Sequence, residues 1–423
     1  MLDIHFIREH AQTVKEGMLA KGEPSAEPVD QVLEKDQNWR DSLQELERLR
    51  NESKTKAKSI GQLKSQGKDE EAQAIIDETS EMKKRIKELE KSVDEYKQQR
   101  DELLLNIPNV PHTSVPVGED ESGNEVYDSW GEGETETNKK PHWELSDAHG
   151  WIDFERGAKV TGAGFPFYKG AMARFQRGLI NFFLAEAADK GYTEIIPPYV
   201  VNEASARGTG QLPDKEDMMY EIQRDGLYPI PTAEVPVTNL YRDEILAEQD
   251  LPLNYAAYTP CWRREAGSHG AEVRGLNRLH QFDKVELVKI VHPGHSYEHL
   301  EALRQDAEDL LKKLELPYRT LLMCTGDMGF TQTKKYDLEV WSAGQERWLE
   351  VSSCSNFEAY QARRMQLRFR DQKGDIQLAH TLNGSGLAIP RVVAALLENY
   401  QTEDGNVIVP EALRPYVGAD TLT

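Results

Sequence analysis

Two arginines and a small set of acids in the C-terminal half of the chain carry its strongest chemical pattern. Arg263, Arg264 and Glu265 close one β-like run, and residues 279–286 open the next, with a loop holding Gly267, Gly270 and Gly275 between them. Side chains two or four positions apart on a strand share a face, so Arg263 joins Glu265, and Phe282 joins Glu286. One surface then offers a cation, two carboxylates and an aromatic ring. The set suits a nucleotide: a guanidinium pairs with phosphate, a ring stacks on a base, and carboxylates accept from amino groups. Taken alone, a hairpin with a charged solvent face is the better explanation. Further on, residues 378–383 read as a strand, Gly384-Ser385-Gly386 as a turn, and residues 387–400 as a helix with Pro390 and Arg391 in its opening turns. Proline is tolerated there because first-turn amides lack an intrahelical acceptor, and a helix start beside an arginine favours an anion. The second signal changes the weight of the first: a glycine-rich strand-to-helix step is weak evidence alone and strong evidence when paired with the Arg263 hairpin.

Those residues need a body to hold them. A chain of 423 residues with 38% hydrophobic content suggests two or more domains. From about residue 29 to 105 there is almost no proline, and the pattern reads as two long helices around a break at Ser65-Gln66-Gly67-Lys68. In the second helix Ile75, Thr79, Met82, Ile86, Leu89, Val93, Tyr96, Arg100 and Leu103 follow alternating steps of four and three, a coiled-coil seam. The first helix has a looser seam through Val32, Asp36, Trp39, Leu43, Leu46, Arg50, Ser53, Ala57 and Ile60. Helices joined by so short a break fold back antiparallel, each about 55 Å long at ~1.5 Å per residue. Such a hairpin is expected to project as an arm.

The formal charge of −22 excludes a surface that binds polyanions everywhere, so any nucleic-acid site must be local. Between residues 48 and 68, Arg48, Arg50, Lys54, Lys56, Lys58, Lys64 and Lys68 face a single acid, Glu52. A solvated helical face is the plain explanation; on so acidic a protein, a finger for a nucleic-acid backbone is favoured, with Arg48, Arg50, Lys54, Lys56 and Lys58 as its contacts.

After Asn106, Pro108, Pro111 and Pro116 lead into an acidic, glycine-rich stretch over 118–136, read as a connector between a domain at 1–110 and a second at 111–423. In the second domain residues 175–190 and 295–314 read as helices. Residues 191–201 read as a strand that Pro197 and Pro198 confine to an edge or interface, and residues 336–341 and 348–353 as a hairpin around Ser342-Ala343-Gly344. Hairpins with helices grouped between them predict an α+β fold with an antiparallel sheet. Cys261, Cys324 and Cys354 lie far apart and signal buried thiols rather than disulfides or zinc. No apolar run reaches membrane-spanning length and the N-terminus lacks a signal-peptide pattern, so the expectation is a cytoplasmic protein without a membrane partner.

Three features in order, the 191–198 segment with its late proline, the aromatic-Arg-x-Glu run with its partner strand, and the Gly386-to-Arg391 segment, resemble motifs 1, 2 and 3 of class II aminoacyl-tRNA synthetases. With the arm, the chain resembles the bacterial type of seryl-tRNA synthetase over essentially its whole length. Thr232-Ala233-Glu234, Gly208-Thr209-Gly210-Gln211-Leu212-Pro213 and Glu350-Val351-Ser352-Ser353 share in the likeness. The resemblance implies a six- or seven-stranded antiparallel sheet flanked by helices, and a homodimer built on the motif 1 strand. It also implies activation of L-serine by ATP, followed by transfer to tRNA(Ser), and to tRNA(Sec) where one exists. Arg263 and Arg391 would be the catalytic pair, on the α- and γ-phosphates. ATP would be held by Arg263, Arg264, Glu265, Phe282, Glu350, Val351, Ser352, Ser353 and Arg391, and Mg²⁺ by Glu350 and Ser353, with no zinc. Serine would meet Thr232, Ala233, Glu234, Arg263, Glu286, Asn383 and Ser385, although a plain turn residue explains Ser385 nearly as well. Serine's carboxylate is ionised at pH 7, so it attacks phosphorus without a general base. Residues 266–277 would form a mobile loop at the tRNA acceptor end, with His269 a loop residue rather than an acid–base catalyst.

Two other readings fit parts of the pattern: a class II paralogue that loads a carrier protein, and a catalytically silent RNA-binding descendant. The long basic arm weighs against the first. Joint retention of Arg263, Glu265, Glu286, Glu350 and Arg391 weighs against the second.

Overall fold

The computed structural model describes residues 1–131, 135–265 and 274–423, without the side chain of Glu216. It divides into two compact units, one of Leu2–Leu19 with Glu23–Pro108, the other of Asn109–Thr423 with Met1 and Ala20–Gly22.

In the first unit helix α1 (Glu27–Ser65) and helix α2 (Asp69–Leu104) pack against each other around the expected break. Leu46, Leu49 and Leu89 are buried, with Met82, Ile86 and Val93 against them. The two polar seam positions answer each other: Arg100 Nη1 lies 3.3 Å from Asp36 Oδ1, and Arg8 donates to both oxygens of Asp36 at 2.7 Å. Burial opposes ionisation of Asp36, but the hydrogen bonds and charge of Arg8, Arg100 and Arg40 outweigh it and hold the carboxyl below its usual range. The seam of α1 departs from the expected register past Leu46. Leu49 is buried and Arg50 points outward, so a second step of three follows the one from Leu43 to Leu46, a local break in the four-three alternation that buries a leucine instead of a cation.

The second unit is built on an eight-stranded sheet. Its strands are β1 (Glu125–Trp130), β2 (Thr193–Glu194), β3 (Leu253–Trp262), β4 (Gln281–Val291), β5 (Tyr318–Leu322), β6 (Lys334–Ser342), β7 (Arg347–Asn356) and β8 (His380–Ala388), in the order β1-β5-β6-β7-β8-β4-β3-β2. All neighbours are antiparallel except β2 and β3. The short β2 is an edge strand, ending before Pro197 and Pro198, as proline's missing donor requires. The count exceeds the expected six or seven partly because of β1, which lies inside the acidic stretch read as a connector. That strand is almost wholly exposed and has no apolar face to betray it; its backbone pairs with β5, and its Tyr127 ring lies 4.9 Å from the Arg304 guanidinium.

Helices α3 (Ala171–Asp189), α6 (Ser296–Lys313) and α8 (Ile389–Asn399) share one core with the sheet, which buries Phe175, Phe183, Leu303 and Val393 against Val285, Leu287, Leu338 and Leu382. Between α3 and α6 in sequence come α4 (Glu203–Thr209) and α5 (Glu234–Thr238); α7 (Ala359–Met365) precedes β8.

Two local features set the polar positions of the sheet. Gly384-Ser385-Gly386 is not a turn: it continues β8, and the helix begins only at Ile389. A Cβ on Gly384 would lie 2.8 Å from Cys354 Sγ, and one on Gly386 3.0 Å from Leu287 Cγ. The glycines therefore allow close packing on the core side, while Asn383 and Ser385 between them line a cavity. In β7 the register slips by one residue: Leu338 faces Ser352 and Glu339 faces Glu350, which leaves Val351 as the extra residue of a bulge. Glu350 and Ser353 are an odd number of residues apart and strict alternation would separate them; the bulge returns both to one face.

Candidate active site

A cavity of about 440 Å³ opens on the polar side of the sheet. Thr232, Glu234, Arg263, Glu265, Phe282, Glu286, Glu350, Val351, Ser352, Ser353, Asn383, Ser385 and Arg391 all line it, so residues from 160 positions of sequence meet in one place. Two expected members do not. Ala233 is buried in a cluster with Val237, Tyr255, Ala257 and Val288, and Arg264 is exposed, its backbone N–H donating to Met218 O at 2.9 Å.

At the anionic end, the Arg263 guanidinium lies 5.1 Å from the Phe282 ring and Nε donates to Pro231 O at 3.3 Å. Arg263 and Glu265 share a site for a reason other than strand alternation, since β3 ends at Trp262 and both lie beyond it. Glu265 sits at φ 48° and accepts from Arg278 Nη1 at 3.2 Å. Arg391, in the first turn of α8, donates from Nε to Asn277 O at 3.0 Å and from Nη1 to Glu350 O at 2.8 Å. Burial would raise the Glu350 carboxyl, but Arg391, Lys335 and Arg263 hold it below its usual range, so these three cations act on one carboxylate. Beside it, Ser353 Oγ donates to Asp337 Oδ1 at 2.6 Å and lies 3.3 Å from Glu350 Oε1; Lys335 Nζ lies 2.8 Å from Asp337 Oδ2. Burial pushes Asp337 up to about 6, against the pull of Lys335.

The other end is a nest of buried groups, most of them paired with one another. Lys284 Nζ donates to Thr232 Oγ1 at 2.8 Å and lies 2.5 Å from Glu286 Oε2. Glu234 Oε1 accepts from Gln361 Nε2 at 2.7 Å; burial, and then the charge of Glu286, raise its carboxyl above the usual range. Among the described residues the buried Asn383 amide nitrogen has no hydrogen-bond partner, a donor left for whatever enters.

The donor set around Glu350 suits a hard cation: a carboxylate kept ionised by its surroundings, a hydroxyl, and a second carboxylate in Asp337. Among the described residues no group of three or more His, Cys, Asp or Glu side chains could hold a metal by itself, so most oxygens around an ion here would come from substrate and water.

Sequence reasoning missed Lys284, Lys335, Asp337, Lys215 and Gln361. Lys284 was within reach, standing between Phe282 and Glu286 on the same alternating face, and Lys335 and Asp337 follow the same rule on β6. Nothing in the local pattern marks Lys215 or Gln361. Gly267, His269, Gly270 and Glu272 of the expected loop lie outside the described residues. Its end is firmly held: Leu276 N–H donates to His142 Nε2 at 2.9 Å, and His142 Nδ1 lies 2.8 Å from Glu398 Oε1.

On the arm, three of the five expected contacts have acidic partners: Arg48 with Glu52 at 2.6 Å, Arg50 with Glu90 at 2.7 Å, and Lys56 with Glu78. Lys54 and Lys58 are exposed and form no ion pair among the described residues. Helix α2 opens with Asp69, Glu70 and Glu71, so the excess of positive charge belongs to α1 rather than to the whole tip.

Comparison with known proteins gives a consistent result. Residues 1–111 match the family described as "Seryl-tRNA synthetase N-terminal domain", and residues 219–400 match "tRNA synthetase class II core domain (G, H, P, S and T)". The chain is 59% identical over 420 residues to a serine-tRNA ligase of Salinibacter ruber, covering 99% of this chain and 98% of that protein. It is 50% identical over 421 residues to one of Bacillus subtilis, with 99% and 98% covered. Among solved structures, seryl-tRNA synthetase from Pyrococcus horikoshii complexed with ATP superposes with a TM-score of 0.96 at 38% identity, covering 100% of this chain and 99% of that one.

Proposed function

This chain belongs to the seryl-tRNA synthetase family and catalyses the ATP-dependent joining of serine to tRNA, and we propose the following division of labour within its cavity. Arg263 and Arg391 bind the triphosphate, Arg263 at the α-phosphate together with the serine carboxylate and Arg391 at the γ-phosphate. Phe282 stacks on adenine, Glu265 accepts from its exocyclic amine, and the Val351–Ser352 backbone completes the nucleotide site with Arg264 at its outer edge. Serine lies against Thr232, Glu234, Glu286, Asn383 and Ser385, with Ala233 acting through the backbone turn it shares with Glu234.

In the first step a serine carboxylate oxygen bonds to the α-phosphorus as the bond to the bridging oxygen breaks, and pyrophosphate leaves with its electron pair. In the second, the terminal ribose hydroxyl of tRNA attacks the acyl carbon and AMP departs. No side chain need take a proton in the first step, so catalysis rests on alignment and on cancelling phosphate charge. Glu350 and Ser353 would hold Mg²⁺, which when bound supplies further positive charge to the phosphates. Lys284 balances the charge of Glu286 in a pocket too dry for an unpaired carboxylate.

The observation that carries this reading is the meeting of Arg263, Arg391 and Phe282 with Thr232, Glu234 and Glu286 in one cavity. On the arm, Lys54 and Lys58, with Arg48, Arg50 and Lys56 released from their acids on binding, are the contacts for tRNA(Ser), and for tRNA(Sec) in a host that makes it. The exposed Ile196, Tyr199 and Val200, just past edge strand β2, fit the homodimer surface expected of the motif 1 segment. The enzyme works in the cytoplasm. Serine-dependent exchange of pyrophosphate into ATP, followed by tRNA charging with and without residues 29–105, tests the whole. Exchange lowered by about 10²-fold or more in Arg263→Ala and in Arg391→Ala, with charging alone lost on removing the arm, is the expected result; exchange at the wild-type rate in both variants rejects the assignment.

A further inference from the structure

Gln361, on helix α7, is not among the residues lining the cavity, yet among the described residues it makes the one hydrogen bond to Glu234 Oε1. The side chain is fully buried and all of its polar atoms are engaged. Nε2 donates to Glu234 Oε1 at 2.7 Å and to Thr209 O at 3.0 Å, while Oε1 accepts from Thr381 Oγ1 at 2.7 Å. These partners admit one orientation of the amide. A flipped Gln361 would set its own carbonyl against Thr209 O, which can only accept, and against a carboxylate. The three partners sit on three elements, the end of α4, the start of α5 and β8, so the amide ties the floor of the pocket together.

Glu234 is itself buried and lies close to a second acid, Glu286, so little except directed hydrogen bonding fixes its carboxylate. Its other oxygen takes no hydrogen bond from the protein among the described residues. A carboxylate held through one oxygen, with the second left open on a cavity, is an acceptor of set direction. An amide donor can provide this where a hydroxyl or carboxyl could rotate or ionise. The Thr209 carbonyl gives the 208–213 segment a role that its sequence did not disclose.

We propose that Gln361, oriented by Thr381 and Thr209, is a positioning residue that aims the free oxygen of Glu234 at the amino-acid substrate and thereby sets how tightly serine is bound and told apart from analogues. This rests on Glu234 being a serine contact. A site built to hydrogen-bond a polar substrate loses discrimination when its own acceptor is free to turn away.

The test is steady-state pyrophosphate exchange with the full-length enzyme, with KM measured separately for serine and ATP, and with alanine as competitor. Gln361→Met keeps the volume and removes all three hydrogen bonds; it is expected to raise KM for serine by about tenfold or more, the loss of a hydrogen bond to a charged group, while KM for ATP stays within about twofold. Thr381→Val removes only the orienting hydroxyl and is expected to move serine KM in the same direction by a smaller factor, with Thr381→Ser restoring it. The preference for serine over alanine falls in step with KM. Equal rises in both KM values, in either Gln361→Met or Thr381→Val, would show a merely structural role and overturn the proposal; so would unchanged serine KM in Thr381→Val. Glu234→Gln separates the premise from the inference. If it leaves serine KM unchanged, the assignment of Glu234 fails; if it raises serine KM and the Gln361 and Thr381 variants do not, only the positioning role fails.

Discussion

The arm and the cavity are made from the same charged residues and use them in opposite ways. On the arm, Arg50 and Glu90 pair with 54% and 45% of their side chains exposed; in the cavity, Lys284 and Glu286 pair with 7% and 2% exposed. Water screens the first pair and competes for its hydrogen bonds, so it can be broken at small cost and its cation lent to a phosphate. The second pair has no water to fall back on, and each partner is the condition for the other's burial. Exposure makes a charge available to a large polyanion, whereas burial makes it exact in position for a small substrate.

The contrast can be tested from its strongest point downward. Lys284→Met leaves Glu286 buried without its cation and is expected to lower unfolding free energy by about 3–5 kcal/mol, read by denaturant titration, with Lys284→Met/Glu286→Gln recovering part of the loss. A drop below about 1 kcal/mol would mean that the pair is solvated after all. Arg263→Ala should reduce the exchange rate by about 10²–10³-fold, the scale for one preorganised charge at a developing anion, with little change in thermal midpoint.

Burial also shifts a titration in the second unit. Burial pushes His380, with Nδ1 2.9 Å from Ser296 Oγ, down to about 4. A base whose folded pKa lies below its unfolded value stabilises fully above the unfolded pKa, near 6.5, and that contribution is lost as pH falls from there towards 4. Between pH 7 and 4.5 wild type should lose about 2–3 kcal/mol more stability than His380→Asn; parallel pH curves would refute the shift.

On the arm, replacing Lys54 and Lys58 together by alanine should raise KM for tRNA about tenfold at moderate salt and reduce the slope of log affinity against log salt by about 1.5, without touching serine-dependent exchange. Smallest of all, a double-mutant cycle on Arg50 and Glu90 should return a coupling no larger than about 0.5 kcal/mol, and less at high salt.

The same contrast explains what could be read from sequence. The arm helices follow from spacing alone, because a seam repeats and each repeat checks the last; the slip from Arg50 to Leu49 is the error expected where steps of three and four compete. The convergence of Arg263 and Arg391 was legible from residue type and from the glycine and proline around them. The strand at Glu125–Trp130 was not, since it is held by backbone pairing with β5 and carries no apolar face. Gly384 and Gly386 were read as parts of a turn, whereas the demand on them is thinness, set by Cys354 and Leu287 in neighbouring strands. Gln361 was invisible for a related reason: its partners Thr209, Glu234 and Thr381 come from three other places in the chain, and only the fold brings them to one amide.

The unmatched residue at Val351 means that β7 is counted in two frames, one on either side of it. Removing Val351 itself would put the strand back into a single frame and leave every pair in place, with Ser352 still opposite Leu338, Glu350 opposite Glu339 and Leu349 opposite Val340, whereas a residue lost elsewhere between Leu349 and Ser355 would transpose inner and outer side chains on one side of the gap. The tolerance of this strand to length change is therefore confined to the unmatched position, whatever is placed there, and the constraint is arithmetic rather than chemical.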